Sequence, residues 1–199
     1  MSQAKSSTRE ALIVAAAKLL ERGGPGAVTL REVGRRAGVS HNAPYKHFEN
    51  KAALLAAIAA QELRRLERRV SAQVSLPPGA ARAAMVRYVR QGLRNPARFR
   101  LTFGAWDGGT EELTEAAARA RARFIKAVAV AQAGGKLPRT DPERLAALIM
   151  ALAHGAVELQ LSGHLSRRGK GGASAVELVG DLFGYLEQSA KRVQRISQT

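Results

Sequence analysis

Along this chain apolar residues recur three and four positions apart, the spacing that gathers them on one face of a helix. No stretch alternates as a strand would, and no internal repeat is visible. Ile13, Ala16, Ala17 and Leu20 form the first such face, behind a Ser7–Glu10 capping box that predicts a helix start. Residues 1–6 are polar and read as a mobile arm. Gly23-Gly24-Pro25-Gly26 is a strong break. A second capping box, Thr29 with Glu32, opens the next helix, whose inward face is Leu30, Val33, Gly34 and Ala37. Gly38 ends it, because glycine adopts a left-handed turn at low cost. Ser40 is placed to cap a following helix, with Pro44 near its first turn, where few backbone donors have helical partners.

Asn50 caps a further helix, predicted from Lys51 to about Val74 and broken by Pro77-Pro78-Gly79. Helices are then predicted from about Ala80 to Arg94, briefly after Pro96, and from after Thr110 to Gln132, with Glu111 and Glu112 suiting the dipole of the first turn. Asp141-Pro142 reads as an N-cap followed by proline at the first helical position, opening a helix to about Leu161. A basic, glycine-rich loop spans Gly163 to Gly172, and a third capping box, Ser174 with Glu177, opens a last helix to about Val193. The pattern predicts an all-α fold of about nine helices: a three-helix head over residues 1–52, and a helical bundle over 53–199.

Two short helices joined by a glycine turn make a helix-turn-helix, whose second helix enters the major groove of DNA. His41, Asn42, Tyr45, Lys46 and His47 are left to point outward from it. Asn pairs with adenine and Lys with guanine. For His41, Asn42, Lys46 and His47, base contact, phosphate contact and no contact each stay open. Lys51 opposes the dipole of its own helix, so something should offset that cost. Arg31, Arg35 and Arg36 either flank the groove or form a solvated face. Phe48 is predicted to pack in the head's core.

These residues also carry a resemblance. From about Ser7 to Glu62 the chain resembles the DNA-binding domain of the TetR (tetracycline-repressor) family. The matching residues are ALIVAAAKLLERGG, Thr29-Leu30-Arg31-Glu32-Val33, Ala37-Gly38-Val39-Ser40, Tyr45-Lys46-His47-Phe48 and Lys51-x-x-Leu54-Leu55. The resemblance implies a dimeric, all-helical regulator controlled by small ligands bound in its C-terminal domain. It places Tyr45 and Lys51 where the family contacts phosphates, and Thr29 where a threonine donates to a phosphate from a helix start. Pro44 is counted with that surface. Ala153-His154-Gly155 resembles a TetR subgroup named for a Trp-His-Gly signature, with Ala153 in the tryptophan's place. The family's last two helices form a dimeric four-helix bundle. Val179, Leu182, Phe183 and Leu186 have the spacing for one face of it, a purely intramolecular core being the other reading.

Composition narrows the picture. With no cysteine, disulfides and thiolate metal sites are excluded. Residues 1–8 lack the apolar core of a signal peptide. The longest nearly continuous apolar run, Leu145 to Val157, is shorter than the roughly 20 residues a membrane span needs. A cytoplasmic protein without a membrane partner is expected. The net charge of +16 points to a polyanionic partner. Residues 1–50 hold eight Lys/Arg and four Asp/Glu, so +12 lies downstream, where solvated surface is an equal reading.

In the bundle, Met85, Tyr88, Phe103, Trp106, Phe124, Met150 and His154 are candidate walls of an apolar effector cavity, with plain core filling as the alternative. His154 and Glu158 have a metal-ligand spacing but no third ligand. No phosphate loop or nucleophile constellation is present, so no enzyme, cofactor or metal site is expected. The sequence predicts a repressor that binds a palindromic double-stranded DNA operator as a homodimer and is released by a small apolar effector. A basic architectural DNA-binding protein without ligand sensing is the alternative, and a basic protein peripheral to membranes a third reading.

Overall fold

The computed structural model describes residues 2–71, 76–106 and 109–196. Eight α-helices follow in order: α1 (Ser2–Gly23), α2 (Leu30–Ala37), α3 (Lys51–Ser71), α4 (Ala80–Arg94), α5 (Pro96–Phe103), α6 (Glu111–Ala133), α7 (Pro142–Leu161) and α8 (Ala175–Ile196). Two short 3-10 turns, Pro25–Ala27 and Pro44–Lys46, accompany them. The helix expected after Ser40 is the three-residue Pro44 turn, so the described residues hold eight α-helices where about nine were expected. Among the described residues the only pairing of extended backbone is an isolated bridge between Ser166 and Gly171. The arm expected at residues 1–6 is helical from Ser2, so Ser7–Glu10 lies inside α1 rather than at its start.

The chain forms two compact units. Unit 1 is Met1–Arg64 with Asn95–Ala118; unit 2 is Arg65–Arg94 with Arg119–Thr199. The core of unit 1 gathers Leu12, Ala16, Leu20, Val33, Leu54 and Ile58, all fully buried, with Phe48 beside them. Removing the larger of these side chains, the leucines, valine, isoleucine and phenylalanine, from water contributes about 1.5–3 kcal/mol each. The Arg9 guanidinium lies 5.3 Å from the centre of the Phe48 ring.

Charged side chains tie α5 and the start of α6 into this unit. Glu21, near the end of α1, accepts from the backbone N–H groups of Ala97 (3.3 Å) and Arg98 (2.9 Å), so a residue of α1 caps α5. Arg98 returns the contact, donating from Nε to Glu21 (3.0 Å) and from Nη1 to Glu62 of α3 (3.1 Å), and it also bonds Asn95. Glu112, in the first turn of α6, accepts from Arg9 (2.6 Å) and Arg64 (2.7 Å).

In unit 2, α4, α7 and α8 pack against one another. Tyr88, Val89, Ile149, Ala153, Val157, Val179 and Phe183 are buried there, with Val128 of α6. The Gln132 amide donates to the carbonyls of Pro138 (2.8 Å) and Thr140 (2.9 Å), fixing the loop before α7. Asp141 caps α7 through the N–H of Glu143, as its position predicts. Ser174 and Glu177 form the expected reciprocal box on α8. The apolar run expected to fall short of a membrane span belongs to a 20-residue helix that is long and apolar enough to cross one. That helix, α7, buries one face against α4 and α8 and leaves Leu148, Leu152 and Leu159 exposed.

Candidate nucleic-acid interface and effector residues

The reading surface is built on one close approach. Gly34 of α2 is buried, and a Cβ there would lie 2.8 Å from Cγ of Pro44. Only a bare α-carbon lets the proline ring seat. With Pro44 anchored and lacking an N–H, the expected second helix tightens into a short turn. The N–H of Lys46 reaches the carbonyl of Ala43 (3.2 Å), and that of Phe48 reaches the carbonyl of Pro44 (2.9 Å). Ser40 contributes its carbonyl, which accepts from Ala43 (3.0 Å). Pro44 is therefore buried beneath the candidate surface. His41, Asn42, Tyr45 and Lys46 are exposed around it, and His47 is half-buried. The His41 and Tyr45 rings meet edge-on with centroids 6.0 Å apart, and Tyr45 is 53 % exposed.

Two helix starts contribute the rest. Thr29 Oγ1 accepts from the N–H of Glu32 (3.2 Å), which leaves its own proton to donate outward. Gly38, at φ 67°, closes the other end of α2. The Glu32 half of the expected box is spent differently. Its carboxylate accepts from Arg35 (2.8 and 2.6 Å) and Arg36 (2.9 Å). Those hydrogen bonds hold its pKa down to about 2. Arg35 and Arg36 are thereby held on their own helix, while Arg31 is exposed. Asn50 Oδ1 accepts from Ala53 (2.9 Å), capping α3, and Lys51 is exposed in that first turn. The arrangement supplies hydroxyl, amide, imidazole and ammonium groups on a rigid scaffold, the inventory used on phosphates and base edges.

The candidate effector residues fall in both units. In unit 2, Met85 and Tyr88 of α4 and Phe124 of α6 are buried, and Met150 and His154 of α7 are half-buried. The Tyr88 hydroxyl and His154 Nδ1 share a 3.0 Å hydrogen bond. Burial, and then the carboxylate of Glu158, push the Tyr88 hydroxyl well above the ordinary tyrosine pKa, so it stays protonated. In unit 1, Phe103 lies 5.3 Å from Phe99 between ring centres. Trp106 has its Nε1 buried with no hydrogen-bond partner among the described residues. Two open grooves on unit 2, of 480 and 250 Å³, share Arg82 and are lined by none of these seven residues. Gly155, inside α7, faces open space within this chain. Among the described residues no three His, Asp or Glu side chains converge on a metal-sized site.

The sequence signals missed the contacts of Gly34 with Pro44, Arg98 with Glu21 and Glu62, Glu112 with Arg9 and Arg64, and Tyr88 with His154. Each joins residues whose partners are fixed by folding rather than by spacing.

Comparisons with known proteins agree with this geometry. Residues 12–58 match the family model for bacterial regulatory proteins of the tetR family, and residues 81–182 match a tetracyclin repressor-like C-terminal domain. The search of curated proteins gave no match. Among solved structures, a Rhodococcus sp. RHA1 protein of unknown function is 30% identical, covering 92% of this chain and 94% of its own, with a TM-score of 0.76. SmeT, the repressor of the Stenotrophomonas maltophilia multidrug efflux pump SmeDEF, is 26% identical over 79% of this chain and 80% of its own, at TM-score 0.58. AibR, solved with isovaleryl coenzyme A and operator DNA, is 18% identical over 90% of this chain and 98% of its own, and shares the fold at TM-score 0.62. With a family model spanning half its length and a second over its head, this chain belongs to the TetR family of bacterial transcriptional regulators.

Proposed function

We propose that this protein is a ligand-responsive repressor: a homodimer that binds a palindromic operator through residues 1–52 and is released when a small apolar effector binds within residues 53–199. The observation that carries the reading is the Pro44 turn seated on Gly34, which fixes exposed His41, Asn42, Tyr45 and Lys46 on a rigid head. Thr29, Arg31, Tyr45 and Lys51 hold phosphates in this reading. Asn42, Lys46, His41 and His47 face base edges, and Pro44 positions them. The repressor role of SmeT supports the direction of control.

The dimer is supported by α7. Leu148, Leu152 and Leu159 stand exposed at helical spacing with Gly155 between them, and a second copy of the chain is their occupant. Tyr185 of α8 is also exposed, at 69 %. Dimeric helix-turn-helix proteins read half-sites about 34–36 Å apart. The Tyr88–His154 pair, buried at Tyr88 and half-buried at His154, is the polar anchor within unit 2 that an effector would engage. To release DNA, the effector must bind the two conformations with different affinity. We place the protein in the cytoplasm, where its operator is. The alternative is an architectural DNA-binding protein that senses no ligand. Gel shifts with an operator and a scrambled duplex separate the two: a regulator prefers the operator, and equal affinity rejects it.

A further inference from the structure

The positive charge of this molecule is not where its DNA-reading motif is. Unit 1, which holds the helix-turn-helix, has twelve Lys/Arg against nine Asp/Glu, a net of +3. Unit 2 has twenty against seven, a net of +13. Its ion pairs, such as Arg119 with Glu67 and Arg167 with Glu177, cannot neutralise that excess.

Part of it is ordered into a face. Arg87, Arg90 and Arg94 of α4 are all exposed, and none makes an ion pair or hydrogen bond among the described residues. At about 100° per residue they occupy one arc of the helix, roughly opposite the buried arc of Ala81, Ala84, Met85, Tyr88, Val89 and Gly92. Like charges three and four residues apart destabilise a helix by about 0.2–0.5 kcal/mol per pair. Apart from Arg94, which suits the dipole at the C-terminal end of α4, the fold gains nothing from this stripe. A polyanion would.

We propose that the Arg87–Arg90–Arg94 face docks on the phosphate backbone of duplex DNA and adds a sequence-independent contact to that of the head. The three guanidinium groups span about 10 Å of helix axis. Duplex DNA carries one charge per roughly 1.7 Å of its own axis, so several phosphates lie within that length. Arg94 is the last residue of unit 2 before the chain re-enters the DNA-reading unit at Asn95. An anionic membrane is the weaker match, since interfacial helices insert an apolar face and that of α4 is buried. The proposal rests on the head binding duplex DNA.

The test is the salt dependence of binding by the full-length protein to an operator-free duplex, read by fluorescence anisotropy between about 50 and 200 mM salt. The Arg87→Gln/Arg90→Gln/Arg94→Gln variant is compared with wild type and with Lys126→Gln/Arg139→Gln/Arg144→Gln, which removes three exposed cations from elsewhere in unit 2. Thermal melts establish that both variants are folded. The expected result is a slope of log K against log salt, expressed per protomer bound, reduced by about 2–3 in the α4 variant, at roughly 0.9 per lost phosphate contact, and by less than one in the control. Operator and scrambled duplex should weaken together, so their affinity ratio is unchanged. An unchanged slope, or an equal loss in the control, overturns the proposal. So does an intact DNA slope with lost binding to phosphatidylglycerol vesicles. A wild type without operator preference would instead reject the repressor reading and leave the slope comparison intact.

Discussion

Gly34 is the residue on which the reading surface turns. Replacing it with alanine sets a methyl group against the Pro44 ring at 2.8 Å, and neither helix backbone nor pyrrolidine gives way easily. Overpacking of this kind costs about 1–3 kcal/mol. Gly34→Ala is expected to lower the melting temperature and to weaken operator binding further than the stability loss alone explains; an alanine variant that matches wild type in both assays would refute the seating. Tyr45→Phe removes only a hydroxyl. It should weaken operator and scrambled DNA alike if that hydroxyl donates to a phosphate, whereas Lys46→Ala should shift preference between operators. Glu32 makes a pH prediction. Its folded pKa is depressed from 4.5 to about 2 by Arg35 and Arg36, so its contribution is present above about 4.5 and is lost as pH falls toward 2. Denaturation midpoints of wild type and Glu32→Gln should therefore converge over that interval.

At the scale of the helix, local signals and long-range contacts separate cleanly. Thr29, Asp141 and the Ser174–Glu177 box announced their helices because a cap is a bond between neighbours in sequence. The Ser7–Glu10 box had the same letters and misled, since nothing in it records that the chain upstream is already helical. Pro44 was legible as a first-turn residue, but not that Gly34 would draw it inward. Arg98 was not legible at all: its partners lie on α1 and α3. Arg98→Met removes the guanidinium shared by Glu21 and Glu62, the latter's side chain 8 % exposed, and should cost about 3 kcal/mol by denaturant titration. If it costs nothing, the cluster is ornamental to stability. The α7 stripe makes the companion prediction. Leu148→Asp or Leu152→Asp leaves the monomer's own core untouched and should shift the protein from dimer to monomer in analytical ultracentrifugation.

For the whole molecule, composition gave the sign of the partner's charge but not where the positive charge is ordered. The face on α4 emerges only when burial shows which arginines lack partners. The candidate effector residues are, in the sequence, apolar and aromatic positions on separate predicted helices. That Tyr88 and His154 meet was not legible there, because they are 66 residues apart. A cognate apolar effector should raise the melting temperature by mass action and lower operator affinity. Tyr88→Phe should blunt both responses while leaving operator affinity without effector unchanged. A panel of apolar and aromatic compounds that shifts neither would favour the architectural reading.

The charged ties of α5 and α6 also bear on how such a protein is inherited. A head exchanged as one continuous stretch at residue 52 would leave Glu62, Arg64, Arg98 and Glu112 facing a foreign α1, without Glu21 to cap α5 or Arg9 to meet Glu112. Recombination that grafts a new head onto this C-terminal domain must therefore carry two separate stretches of the gene, or re-create those pairs by mutation. Functional chimaeras should be recovered chiefly when residues 95–118 travel with the head.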